Sequence, residues 1–249
     1  MVSKFTILGE RCSGTNFLEK AILENFDINI TWEYGWKHFF GFNEYNNNDD
    51  TLFIGIVRDP YQWINSLYKI PYHLPKKLRK KENFLTGEFF SLYRKRKNLP
   101  QAEIMEDRNI YTRKRYKNIF ECRKVKCQFL LDDIKHKVKN YILIRYEDLR
   151  DNYDETLDTI KDNFSLIKKH DKYTPIINRV STNTGFIIET IETFDKNVIN
   201  LYLDKDIEKR LNYLQADKDS EEKLNYPRAD KDSEEKLNYP QVDNDIEEK

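Results

Sequence analysis

Apolar and polar positions along the chain follow two periods, one suited to strands and one to helices. Lys4–Leu8 (KFTIL) is a short apolar run that stops at Gly9. From Asn16 to Asn25, apolar residues fall at Phe17, Ala21 and Ile22, with Phe26 just beyond, the spacing of one helix face. Ile28–Tyr34 is β-branched and aromatic and predicts a strand. Leu52–Val57 (LFIGIV) is a continuous apolar run of the kind found in strands buried on both faces. Asp59-Pro60 then reads as an N-cap followed by the first residue of a helix that runs through Lys69. Tyr141–Ile144 (YILI) predicts another buried strand. Strand alternating with helix predicts an α/β fold, a three-layer α/β/α arrangement with a mainly parallel sheet. Residues 70–139 read as a helical, basic insert that caps one end of that sheet.

The C-terminus has a different pattern. LNYLQADKDSEEK (Leu211–Lys223), LNYPRADKDSEEK (Leu224–Lys236) and LNYPQVDNDIEEK (Leu237–Lys249) repeat every 13 residues without a gap. The later copies carry Pro227 and Pro240 where the first has Leu214, and proline stops a helix. Each copy has little beyond one Leu and one Tyr to bury. The expected organisation is one domain over 1–213 and an acidic repeat tail over 214–249, flexible or partly helical.

Charge sharpens this division. The 249 residues balance 43 Lys+Arg against 43 Asp+Glu. Residues 212–249 nevertheless carry a net of −6 and residues 69–139 a net of +13. The basic segment offers a surface to an anionic ligand, or simply a solvated face. Within it, YTRKRYKNIFECRKVK (Tyr111–Lys126) interleaves aromatics with Arg and Lys, which also fits a nucleic-acid surface. An aromatic content of 14% argues against global disorder. No apolar run approaches the ~20 residues of a membrane span, and Met1–Phe5 holds no signal-peptide core. Three cysteines (Cys12, Cys122, Cys127) make no disulfide framework, so a reducing, cytoplasmic compartment is expected. Richness in Lys, Asn, Ile and Tyr fits an AT-biased genome, a viral one among them.

The sharpest local feature is Gly9-Glu10-Arg11-Cys12-Ser13-Gly14-Thr15-Asn16, between the first strand and the first helix. A loop in that place can cradle a phosphate, because small residues admit backbone N–H groups and the helix N-terminus adds positive potential. Arg11, Ser13, Thr15 and Asn16 can also donate side-chain hydrogen bonds. The spacing is that of a Walker loop, but Thr15-Asn16 stand where Lys-Ser/Thr is expected. A kinase-like enzyme acting on β/γ-phosphates is correspondingly disfavoured. A second element follows: Arg58 leaves the strand Leu52–Val57, and Ser66 lies eight residues on, in the next helix. Such an Arg can fork onto a phosphate that the Ser also reaches.

Together, ILGERCSGTNFLEKAI and IVRDPYQWINSLYK resemble the sulfotransferases that use 3′-phosphoadenosine 5′-phosphosulfate (PAPS). Asp59, Pro60, Trp63 and Tyr68 fill out the pattern. RYEDLRDNYDETLDTI (Arg145–Ile160) and YLDKDIEKRLNY (Tyr202–Tyr213) resemble two further family segments, so the likeness touches most of 1–213 in scattered blocks. The resemblance implies a P-loop NTPase-like domain. It implies that the first loop (Arg11, Cys12, Ser13, Gly14, Thr15, Asn16) binds the 5′-phosphosulfate, while Arg58 and Ser66 bind the 3′-phosphate. Cys12 replaces the family's loop Lys, and Arg11 and Lys37 are the candidates to supply its charge. Cys12 itself reads as loop packing rather than as a nucleophile. Arg179 and residues 181–185 (STNTG) fall where an adenine-contacting loop belongs.

Sulfuryl transfer needs a proton acceptor for the incoming hydroxyl and charge stabilisation on the leaving phosphate. His38 is the expected base and Lys37 its cationic neighbour; His73, His136 and His170 read as surface or core residues. No metal site stands out: Cys122-x4-Cys127 lacks two further ligands at zinc-like spacing. The expected partner is a hydroxyl acceptor (a glycan, a small alcohol or phenol, or a protein Tyr), with no nucleic acid and no membrane. The rival readings are a kinase-like P-loop enzyme and a nucleotide-binding module without turnover.

Overall fold

A computed structural model describes residues 1–93, 101–176 and 192–214, all within the compact unit Met1–Gln215. The adenine-loop candidates Arg179 and 181–185, and all of the repeat tail but Leu214, lie outside the described residues. The strands are β1 (Lys4–Leu8), β2 (Asn29–Ile30), β3 (Thr51–Val57) and β4 (Asn140–Arg145). They form one sheet in the order β2-β1-β3-β4, and every pairing is parallel.

The sheet is covered on both faces, as parallel sheets require. Side chains alternate across a strand. Thus Phe5, Ile7, Leu52, Ile54 and Ile56 pack on one face with α1 (Thr15–Asn25), α5 (Tyr146–Asp151) and α6 (Tyr153–Phe164). Leu8, Phe53 and Val57 face the other way, against α2 (Pro60–Lys69), α4 (Ile119–Gln128), α7 (Lys196–Asn200) and α8 (Lys205–Arg210). All seven residues of β3 are buried, which explains its unbroken apolar sequence.

Asp59 caps α2 as its sequence foretells: its side chain accepts from the Gln62 N–H at 2.9 Å, and Pro60 occupies the first turn, where its missing N–H does no harm. Two expectations need correction. The strand expected over 28–34 is only Asn29–Ile30, at the sheet edge; beyond Thr31 the chain turns at Gly35 (φ 95°). The segment 70–139 is not a helical cap throughout. Pro71 and Pro75 interrupt it, and it holds short turns at Lys76–Arg79 and α3 (Lys81–Phe84) and isolated bridges Phe89–Tyr116 and Leu92–Glu103. Its one helix longer than a few residues, among those described, is α4. No helix among the described residues is long and apolar enough to cross a membrane.

The chain runs from β1 outward to β2, then returns to β3 on the opposite side of β1. The strand order therefore reverses between β1 and β3. Open α/β sheets bind their ligands in the crevice outside the strand ends at such a reversal. The loop after β1 and Arg58 after β3 both lie there.

Candidate functional site

Gly9 leaves β1 in close contact with β3: a Cβ there would stand 2.7 Å from Ile56 Cγ2 and 2.8 Å from the Ile56 carbonyl. The loop then folds on itself. Ser13 Oγ donates to the Glu10 carbonyl at 2.6 Å, and the Ser13 N–H does so at 3.1 Å. Cys12 (φ 64°) and Gly14 (φ 97°) both take left-handed backbone, which only Gly adopts freely. A Cβ on Gly14 would be 2.3 Å from Tyr146 Cδ2. The first turn of α1 contains no acidic residue, and Gly14 gives it no side-chain cap. The Gly14, Thr15 and Asn16 N–H groups find no acceptor among the described residues. Thr15 itself is buried and Asn16 exposed. An open helix N-terminus of this kind favours an anion.

Arg58 lies beside it. Its Nη1 donates to the Cys12 carbonyl at 3.1 Å and its Nη2 to Gln62 Oε1 at 3.4 Å. The guanidinium lies 4.7 Å from the centre of the Tyr146 ring. Its Nε is buried with no hydrogen-bond partner, and it pairs with no carboxylate among the described residues. A buried donor left unmatched is costly, so this one points to a missing acceptor. Ser66, on α2, lies near the thiol of the same loop residue and pulls its pKa down. Burial pushes that thiol up, against the opposing pull of Ser66 and the two arginines. Cys12 is therefore a protonated packing residue at neutral pH. A small cavity behind the loop is lined by Glu10, Ser13, Arg58, Trp63, Arg123 and Lys126.

The later sequence blocks converge here too. Glu147 accepts the Asp59 N–H at 3.0 Å and the Tyr213 hydroxyl at 2.9 Å, holding the β3–α2 corner. Trp63 Nε1 donates to the Arg11 carbonyl at 2.8 Å, which ties α2 to the loop.

Lys37 and His38 follow the Trp32–Trp36 turn beyond β2. Lys37 Nζ donates to Asn16 Oδ1 at 2.6 Å and pairs with Glu19 at 2.7 Å. It thus brings an ammonium to the start of α1, where the loop lacks a Lys, but already balanced by a carboxylate. His38 Nδ1 lies 2.8 Å from the Gly9 carbonyl. A carbonyl can only accept, so the proton sits on Nδ1 and the lone pair on Nε2. Burial pushes the imidazole down to about 3, despite the Gly9 bond and the Glu10 charge, and keeps it neutral at physiological pH.

Arg11 departs from its expected role. Its Nε donates to Glu10 Oε1 (2.7 Å), Nη1 to the Tyr72 carbonyl (3.0 Å) and Ser91 Oγ (2.7 Å), and Nη2 to Asp107 Oδ2 (2.9 Å). These buried bonds turn the guanidinium toward the 70–139 segment and leave it no fork to offer a loop phosphate. Lys126 Nζ completes the cluster, reaching Glu10, Asp107 and the His38 carbonyl. Burial would raise the Glu10 carboxyl, but Lys126 and Arg11 outweigh it and hold it well below the usual range. Nearby, Arg123 makes a buried two-bond pair with Glu208. The partners of Arg11 and Lys126 escape sequence reading because Asp107 is 96 residues from Arg11. One signal existed: in α4, Arg123 and Lys126 share the helical spacing of the buried Ile119, Cys122 and Phe129. Two cations on an inward face demand buried anions.

Among the described residues, no three His, Cys, Asp or Glu side chains gather as a metal site would need. Set against models of known protein families, curated proteins and solved structures, the chain matches none.

Proposed function

We propose that the chain is a PAPS-dependent sulfotransferase with a P-loop-like phosphate cradle. The observation that carries this reading is Arg58: a guanidinium with a buried, unmatched Nε beside an uncapped helix N-terminus. That pairing suits a strongly anionic group. The Arg58–Ser66 spacing, with both residues close to Cys12, supports a 3′-phosphate at the guanidinium, and the helix N-terminus suits the 5′-phosphosulfate.

In this reading the N–H groups of Gly14, Thr15 and Asn16 hold the 5′-phosphosulfate, while Arg58 and Ser66 hold the 3′-phosphate. The donor, when bound, supplies a sulfuryl group whose bond to the bridging phosphate oxygen breaks as the acceptor oxygen bonds to sulfur, the bond pair staying on the phosphate. His38 Nε2 receives the acceptor's hydroxyl proton. An anion in the loop raises the basicity of that imidazole by Coulomb attraction to its protonated form. Lys37 lies close enough to the loop to offset charge on the leaving phosphate, once it exchanges Glu19 for it.

The commitment of Lys37 to Glu19 favours one second reading, a nucleotide-binding module without turnover. Titration calorimetry with 3′-phosphoadenosine 5′-phosphate, AMP and ATP–Mg²⁺ tests the donor site. Preference for the 3′-phosphate, lost in Arg58→Ala, is expected; preference for ATP overturns the reading. Binding without transfer to any acceptor would select the non-enzymatic module.

A further inference from the structure

Beyond the loop, an aromatic ribbon runs past the candidate base. Trp32 and Trp36 lie with ring centroids 5.0 Å apart at 33°. Trp36 meets His38 edge-on at 6.2 Å, His38 meets Phe39 at 6.4 Å, and Phe39 meets His73 at 5.7 Å. Its outer end is open to solvent: Trp32 is 37% and Trp36 48% exposed. Single exposed apolar side chains are ordinary, but here two half-exposed indoles adjoin and the second meets the ring of the candidate base edge-on. His73, read from sequence as a bystander, closes the other end. Its Nδ1 sits 3.0 Å from the Leu92 carbonyl, and its backbone is held at φ 64°.

We infer that Trp32 and Trp36 are the platform for a phenolic ring whose hydroxyl donates to His38 Nε2. This deepens the sulfotransferase reading by naming the acceptor class, and it rests on His38 as proton acceptor.

Two observations favour a phenol over a sugar. The first is Lys37. Its buried ammonium lies 5.6 Å from the Trp32 ring centre and 5.4 Å from that of Trp36. A cation held by an indole draws π-electron density toward itself. The C–H groups of a pyranose need an electron-rich ring face and are weakened by that pull. An electron-rich phenol stacks well on a polarised indole, in the offset geometry aromatic pairs prefer. The second is the base. Burial lowers the proton affinity of His38. A base weakened in this way matches a phenolic hydroxyl, with a pKa of about 10, better than the far less acidic hydroxyl of a sugar. Both a free phenol and a tyrosine in a polypeptide carry this chemistry.

The test uses the full chain without donor. p-Cresol, toluene, methyl β-glucoside and an acetylated tyrosine-containing peptide amide are titrated by calorimetry, into wild type, Trp36→Ala, Trp36→Phe and Trp32→Ala. 3′-Phosphoadenosine 5′-phosphate is titrated in parallel. We expect p-cresol to bind at least tenfold tighter than either toluene or the glucoside. Trp36→Ala should weaken it at least tenfold, Trp36→Phe should restore most of the loss, and donor-product affinity should hold throughout. The peptide binding tighter than p-cresol assigns the phenol to a polypeptide; equal or weaker binding assigns it to a small molecule. Glucoside binding as tight as cresol binding, or cresol binding indifferent to both tryptophans, overturns the inference. Nucleotide binding with indifferent tryptophans fails the platform alone. Tryptophan-dependent cresol binding without nucleotide binding fails the donor reading alone.

Discussion

Arg58 donates to the carbonyl of Cys12 at 3.1 Å, so the end of β3 is fastened to the loop that follows β1. The bond spends one arm of the guanidinium on geometry and leaves the buried Nε for a ligand. Replacing Arg58 with Ala should weaken 3′-phosphoadenosine 5′-phosphate by roughly 10- to 100-fold, the equivalent of about 1.5–3 kcal/mol for hydrogen bonds to a charged group. Lys should not rescue it, because it has neither the second arm nor the Nε. Calorimetry on Arg58→Ala and Arg58→Lys reads both effects, and full affinity in either variant refutes the assignment.

Gly14 gives a stability prediction. Its left-handed backbone and its contact with Tyr146 both oppose a side chain. Gly14→Ala should cost about 1–3 kcal/mol, the usual penalty for overpacking, measured as a shift in urea midpoint. Combining it with Tyr146→Ala should recover the steric share and leave the backbone share.

The Arg123–Glu208 pair should show strong non-additivity. Glu208→Gln alone leaves a buried guanidinium without its anion and should cost about 3–5 kcal/mol. The double variant Arg123→Met/Glu208→Leu should lose clearly less than the single one. Equal losses would mean that the pair is not buried as described.

Acid should destabilise the protein in two stages. The neutral His38 of the fold takes up its proton only near pH 3, whereas an unfolded histidine does so near 6.5. Between those values the unfolded chain binds more protons, so stability falls as pH falls, by at most about 1.4 kcal/mol per pH unit for this one group. Glu10, held low by Lys126 and Arg11, adds its loss only below the ordinary glutamate value near 4.3. Denaturation midpoints against pH for wild type and His38→Gln should differ in slope between about 6.5 and 4.5, and coincident slopes would exclude His38.

All three thiols are pushed up by burial. Iodoacetamide at neutral pH should therefore label the native chain far more slowly than the urea-unfolded chain. Rapid native labelling at Cys12 would instead mark it as a reactive thiolate.

Much of the sheet was legible because its signals are local. Lys4–Leu8 and the Asp59-Pro60 start of α2 match the structure at residue level, since one apolar run and one cap suffice to set them. Ile28–Tyr34 misled because β-branched and aromatic residues also suit an edge that bends away, and there the tryptophans stay exposed. At the site, Gly14, Arg58 and Ser66 were readable by spacing within one loop–helix unit. Arg11 was not: the carboxylate that claims its outer arm comes from Asp107, and no local pattern announces it.

The Glu10–Arg11–Asp107–Lys126 cluster has a consequence for modularity. Arg11 reaches Tyr72, Ser91 and Asp107, while Lys126 returns to Glu10 and the backbone of His38. The insert and the loop therefore share one set of buried charges: each half sums to zero, but each of the four ions has one partner in its own half and one across the seam. Transplanting the insert onto another sheet, or exchanging it for a foreign one, would take one of its two partners from each of these buried ions. These parts can be inherited or engineered only as a matched pair.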